Sequence, residues 1–285
     1  INYYTGILIG FGIVLMYIST GGFLAVAWSD FFQGMLMFIG LVILPIVTIF
    51  YIPDLSAFCK GLSAIDPGLT DIWGSGGFNL LNLVSVIGLI SIGIGFLGSP
   101  QVYVRFMSIK DENEIKKGKW VAVWYTLITD TAAVTIGLLG RYLLTSVGQD
   151  PVLAIGHAGE DVLASLLDMV MPNVIIGVYI AAVLSAIMST VDSLLVVASS
   201  AVTRDFYQQI FHPEIKNDAL TSLSKKVTVV IAILALSIAL LVSVLSPDRT
   251  VFWFVIFGWS GIAATFVPVI ILSLLWDGFT EKGAI

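Results

Sequence analysis

The chain of 285 residues is 58% hydrophobic and only 11% charged, with a mean hydropathy of +1.02. A soluble domain carries about a quarter charged residues, so this composition excludes one and predicts a polytopic helical membrane protein. The net charge of −6 comes without any basic stripe, so nucleic acid is not an expected partner, and a single cysteine, Cys59, excludes an internal disulfide and a cysteine-based metal cluster.

The chain opens on Ile1, close to an apolar run and without a charged leader, and reads as an internal piece of a longer protein. Seven segments are long and apolar enough to cross a bilayer: 3–20, 25–52, 78–103, 118–147, 172–207, 222–246 and 250–276. Gly21-Gly22 predicts a break between the first two, and Pro45 a kink in the second. Residues 53–77 read as a loop. The third segment holds Gly88, Gly93, Gly95 and Gly98 before Pro100. Two explanations stand: close helix packing through small residues, or a helix bent or unwound beside a cavity. Segment 148–171 contains Glu160-Asp-Val-Leu-Ala-Ser-Leu-Leu, which predicts a short surface helix. His157 and His212 lie in polar connections and read as solvated loop residues.

Lys and Arg set the orientation. Arg105, Lys110, Lys116, Lys117, Lys119, Arg204, Lys216, Lys225, Lys226 and Lys282 fall on one side under strict alternation; Lys60, Arg141 and Arg249 fall on the other. Ten against three places the larger set in the cytoplasm. Trp28, Tyr51, Trp120, Trp124, Tyr207 and Trp276 stand at segment ends, as interfacial anchors do.

Three acids lie within the apolar segments: Asp30, Asp130 and Asp192. An intramembrane acid without a basic partner is protonated, hydrogen-bonded or compensated by a cation. Cation compensation is the reading favoured for Asp30 and Asp192, with a structural hydrogen bond as the alternative. Asp130 has Thr126, Thr129 and Thr131 beside it to satisfy it locally. Within Ala186-Ile-Met-Ser-Thr-Val-Asp-Ser193, residues 186, 189, 190 and 193 share one helix face and Asp192 flanks it. Hydroxyls, carbonyls and carboxylates are hard oxygen ligands suited to a small cation. An intramembrane aspartyl protease would need a Gly-x-Gly-Asp pattern, which is absent, so no enzyme is expected. Neither a Walker-type phosphate loop nor a channel filter is evident, which leaves coupling to an ion gradient.

Four blocks in order resemble the sodium/solute symporter family, in particular its sodium/proline branch. The run from Ala186 through Ser189-Thr-Val-Asp-Ser193 to Arg204-Asp-Phe-Tyr207 is similar to the eighth core helix. Gly21-Gly-Phe-Leu-Ala-Val-Ala-Trp-Ser-Asp30-Phe-Phe-Gln33 resembles the start of the fifth. Gly98-Ser-Pro-Gln-Val-Tyr-Val-Arg-Phe-Met107 resembles the end of the sixth, and Trp259-Ser-Gly-Ile-Ala-Ala-Thr-Phe-Val-Pro268 the tenth.

The resemblance implies an all-α, partial inverted-repeat fold of the leucine-transporter type with about seven transmembrane helices. The whole chain, 1–285, would be a single transporter-domain fragment, with 1–52 ending the first repeat and 78–276 forming the complete second repeat. Core helices one to three would be missing. It also implies a sodium-coupled symporter in the inner (plasma) membrane, with Na+, a small solute and the bilayer as partners. Ala186, Ser189 and Thr190 match the helix-eight half of the coupling sodium site. Asp30, Ser189 and Ser193 match a second cation site found in some members, and Asp192 stands where those members have serine. For the solute, the resemblance points to Ser85, Ile92, Phe96, Ser99 and Pro100. Ile92, Phe96 and Ser99 replace the Trp, Tyr and Gln of typical proline carriers, which removes polar and stacking contacts. Proline leads as substrate. A similar amino acid, a carboxylate such as pantothenate, or a transporter-like sensor domain feeding a signalling module are the alternatives.

Overall fold

The computed structural model describes residues 3–246 and 250–284, the side chains at 3–4, 17 and 19–25 excepted. Arg249, counted in the charge balance above, lies outside the described residues. Every regular element among the described residues is helical, as a bilayer demands of a segment that must satisfy its own backbone groups. Among the described residues, six helical stretches are long and apolar enough to cross a membrane: Val26–Ile49, Leu80–Gly98, Glu112–Leu144, Asn173–Phe211, Asn217–Leu245 and Val251–Leu275.

The expected break at Gly21-Gly22 is absent. A single helix, α1, runs without interruption over the 47 residues Tyr3–Ile49 and keeps Pro45 in its interior. Two helical glycines cost about 1 kcal/mol each, whereas each backbone group left unpaired in apolar surroundings costs several. Continuity is therefore the cheaper solution. At 1.5 Å per residue α1 is about 70 Å long, more than twice a hydrocarbon core of about 30 Å. Among the described residues, Val26–Ile49 is long and apolar enough to cross, and Thr5–Met16 is an apolar stretch ahead of it.

The chain divides into two compact units, Ile1–Gly40 with Asn173–Asp248, and Leu41–Pro172 with Arg249–Ile285. In the first, α1 packs with α8 (Asn173–Ser200) and α9 (Asn217–Leu245). Val14, Ile18, Leu195 and Ala232 form its buried centre, with Phe11, Met188 and Ile231 against it. At Gly40 a Cβ would stand 3.3 Å from the Cβ of Ala182, so α1 and α8 meet there through small residues. Beyond Ser200 the chain widens into a π-helix, Ala201–Phe211. It closes with a bond from the His212 N–H to the Tyr207 carbonyl. His212 and His157 are both exposed, in agreement with their loop reading.

The second unit shows what the 53–77 loop contains. Asp54 caps an amphipathic helix, α2 (Leu55–Ile65), by accepting from the Ser56 N–H. Phe58 of α2 meets Tyr142 edge-on at 5.1 Å, on α5 (Glu112–Leu144). The helix expected near Glu160 begins slightly later, as α7 (Val162–Val170), after a short α6 (Pro151–Ile155). It buries Val162, Leu166, Leu167 and Val170, and Gly140 of α5 leaves room for Val162, whose Cγ1 would clash with an added Cβ.

The third segment is broken. Helix α3 (Leu80–Gly95) gives way to a 3-10 turn at Phe96–Gly98. Ser99 is extended (φ −77°, ψ 108°), and a new helix, α4 (Pro100–Met107), starts on Pro100. Proline disfavours helix in the residue before it and fits the first helical turn after it. The unwinding and the close packing through small residues fall at the same place. Gly95 and Gly98 are packed tightly against α10 (Val251–Leu275), whereas an added Cβ at Gly88 or Gly93 would meet nothing within 4 Å.

Candidate functional site

Within the first unit, the face expected on α8 is present. The Ser189 hydroxyl donates to the Ala186 carbonyl at 3.0 Å, and the Thr190 hydroxyl donates to the same oxygen at 3.3 Å. One turn on, the Ser193 hydroxyl donates to the Ser189 carbonyl at 2.7 Å. These back-bonds are local consequences of helical spacing. Their result is a group of oxygens whose hydroxyl protons are directed into the helix, leaving lone pairs for a cation. Thr190 is exposed, while Ser189 is half-buried.

Ser193 also joins the two helices of this unit. Its hydroxyl is 3.4 Å from Asp30 Oδ2 of α1 and 3.4 Å from Asp192 Oδ1. One hydroxyl has one proton, and the 2.7 Å bond to Ser189 claims it; 3.4 Å exceeds the usual range for O–H···O bonds. Asp192 is fully buried and Ser193 nearly so. Along α1, Trp28, Phe31 and Phe32 make an exposed aromatic face, with ring centroids 5.5 to 6.5 Å apart. Asp30 is two residues from Trp28, about 200° around the helix, and so stands on the opposite side. Asp30, Ser189, Asp192 and Ser193 are thus brought together.

Asp130 is different. The Thr129 hydroxyl donates to the Tyr125 and Thr126 carbonyls, and the Thr131 hydroxyl to that of Leu127. Thr129 and Thr131, two of the three threonines expected to satisfy Asp130, serve the backbone instead, and Asp130 itself is exposed.

Within the second unit, Phe96, Ser99 and Pro100 lie at the break after α3, with Ile92 one turn before it. Ser85 sits two turns upstream of Ile92, in an exposed part of α3, and is not gathered with them. Phe96 meets Trp259 of α10 with ring centroids 4.6 Å apart and planes at 55°. A Cβ at Gly95 would lie 2.8 Å from Trp259 Nε1, and one at Gly98 would lie 2.8 Å from Val267 Cγ2. The break is therefore walled by α10. Ser99 Oγ, Gln101 Oε1 and Trp259 Nε1 are all buried without a hydrogen-bond partner among the described residues.

Gln101 and Trp259 are absent from the residues the sequence nominated for the solute. Gln101 follows the α4 proline directly, so its nearness was readable. Trp259 lies more than 150 positions beyond Ser99 in the chain, and no periodicity links the two.

The sodium:solute symporter family profile matches residues 1–285. The chain is 34% identical over 290 residues to the high-affinity proline transporter PutP of Bacillus subtilis (strain 168), covering 100% of this chain and 57% of that protein. It is 31% identical to the osmoregulated proline transporter OpuE of the same organism, covering 55% of it. Against a sodium/proline symporter of Staphylococcus aureus the figures are 32% and 53%. The chain thus spans about half the length of the curated relatives it matches. No solved structure matches it. A family match over the whole chain, with six membrane-length helices among the described residues, makes this chain a member of the sodium:solute symporter family.

Proposed function

We propose that the full protein is a sodium-coupled symporter of proline or a closely similar amino acid, lodged in the plasma membrane with its lysine- and arginine-rich loops in the cytoplasm. The observation that carries this reading is the convergence of the Ser189 and Thr190 hydroxyls on the Ala186 carbonyl, part way along a membrane-length helix. The exposure of Thr190 fits a site completed by protein beyond this chain. Ala186, Ser189 and Thr190 supply half of the coupling sodium site; Asp30, Asp192 and Ser193 supply oxygens for a second cation. Sodium binding favours the outward-open state, and sodium and solute cross together as the transporter changes state. Each charge moved contributes about 2.3 kcal/mol per 100 mV.

The solute site lies at the α3–α4 break, where glycines bring backbone close to α10 and the buried Ser99 Oγ and Gln101 Oε1 have no hydrogen-bond partner among the described residues. Uptake of radiolabelled proline by the full-length protein in proteoliposomes tests this. The expected result is accumulation driven by an inward sodium gradient and abolished when potassium replaces sodium. Proline uptake indifferent to sodium would overturn the coupling.

A further inference from the structure

We propose that Trp259 is a specificity-determining residue whose indole N–H, with the Ser99 hydroxyl, binds the carboxylate of a zwitterionic amino acid, while Gln101 Oε1 accepts from its ammonium. The inference rests on the reading of this protein as a solute symporter with its site at the α3–α4 break.

Ser99 is wholly buried and Gln101 nearly so, and the half-buried Trp259 keeps its ring nitrogen out of solvent. Their polar atoms have no hydrogen-bond partner among the described residues. Buried polar groups are normally paired, and one left unpaired carries its full desolvation cost. Ser99 and Gln101 stand at the start of α4 and Trp259 Nε1 abuts Gly95, one turn before Ser99, so all three unpartnered atoms belong to the neighbourhood of this break and favour a polar ligand there.

The chemistry of the set is asymmetric. Trp259 Nε1 can only donate, Ser99 Oγ can donate or accept, and Gln101 Oε1 can only accept. Two donors and one acceptor suit a carboxylate and an adjacent ammonium. A simple carboxylate would satisfy the donors and leave Gln101 Oε1 unpaired. A site built to hydrogen-bond one group discriminates strongly against analogues lacking it.

Position supports the same assignment. Gly95 lets Trp259 Nε1 approach α3, since a Cβ there would be 2.8 Å from it. The indole is also tilted against Phe96 at 4.6 Å. With Ile92 and Phe96 in place of the larger polar aromatics of typical proline carriers, Trp259 is the side chain at the break offering both a stacking surface and an N–H donor.

The test uses the full-length protein in proteoliposomes, with proline and its amine-free analogue cyclopentanecarboxylate as probes. Trp259→Phe keeps the ring and removes the donor. It should raise the proline KM roughly tenfold or more, the scale of a lost hydrogen bond to a charged group, while leaving the sodium dependence unchanged. Gln101→Leu should narrow the preference for proline over cyclopentanecarboxylate, a change that general destabilisation would not produce. Sodium-driven proline uptake with an unaltered KM in Trp259→Phe would overturn the role of Trp259. Unaltered discrimination in Gln101→Leu would overturn the zwitterion assignment. If the unmodified protein takes up neither probe under a sodium gradient, the symporter reading itself fails, and this proposal with it.

Discussion

The Ser193 hydroxyl of α8 lies 3.4 Å from the Asp30 carboxylate of α1, across 163 positions of sequence. Because its proton is engaged by the Ser189 carbonyl at 2.7 Å, Ser193 can offer lone pairs to whatever charge balances Asp30. A neutral amide at position 30 would remove that charge. Asp30→Asn should weaken the apparent sodium affinity of proline uptake by about tenfold or more, equivalent to at least about 1.4 kcal/mol. Sodium-activation curves in proteoliposomes would check this, and an unchanged half-saturating sodium concentration would assign Asp30 to structure alone.

One turn earlier on α8, Ser189 and Thr190 share the Ala186 carbonyl. Alanine at either position removes the hydroxyl, and with it one cation ligand, without opening a large cavity. Ser189→Ala and Thr190→Ala should each lower apparent sodium affinity by roughly 10- to 100-fold, the range for losing a hydrogen-bonding group to a charge. Thr190→Ser, which keeps the hydroxyl, should restore most of it. Rescue by serine separates ligation from packing.

The glycines around the α3 break make opposite predictions. Gly98→Ala would place a Cβ 2.8 Å from Val267 Cγ2 and 3.0 Å from its backbone nitrogen. Overpacking of this kind costs about 1–3 kcal/mol. Gly93→Ala meets nothing within 4 Å and gains up to about 1 kcal/mol of helix propensity. Thermal unfolding in detergent should show a lower midpoint for the first and an equal or higher one for the second.

Outside the apolar segments, the Ser56 hydroxyl and N–H both donate to Asp54 and hold its carboxyl below its ordinary value of 3.8. A carboxyl with a depressed folded pKa contributes stability above its unfolded pKa and loses it as pH falls through the folded value. The cap of α2 should therefore persist at neutral pH and weaken only below about pH 3.8. Hydrogen exchange at Ser56 to Phe58 would follow it. Asp54→Ala should speed exchange there at pH 7 and remove its acid dependence.

Much of this protein is local and therefore legible. The broken third segment follows from Gly95, Gly98 and Pro100, because proline and glycine act on the backbone at their own positions. The α8 oxygen face follows from helical spacing alone. Segment boundaries were less legible. Gly21-Gly22 reads as a break by propensity, yet α1 continues through it, since propensity is a weak influence beside the need to keep backbone groups paired. The 53–77 region reads as a loop because α2 spans only 11 residues, short for periodicity to declare itself.

Sequence by itself determined that this chain is helical, apolar enough to cross a membrane, and equipped with a hydroxyl-rich turn at residues 189–193. The family resemblance already set Asp30 with Ser193; only the tertiary structure decided how closely they approach, and that Trp259 covers Gly95 near the break that holds Ser99 and Gln101. The reason is physical. In a water-soluble helix the apolar stripe announces which face is buried. In a membrane-length helix every face is apolar, so the choice of neighbour falls to small residues and polar contacts that reveal themselves only once the helices are packed.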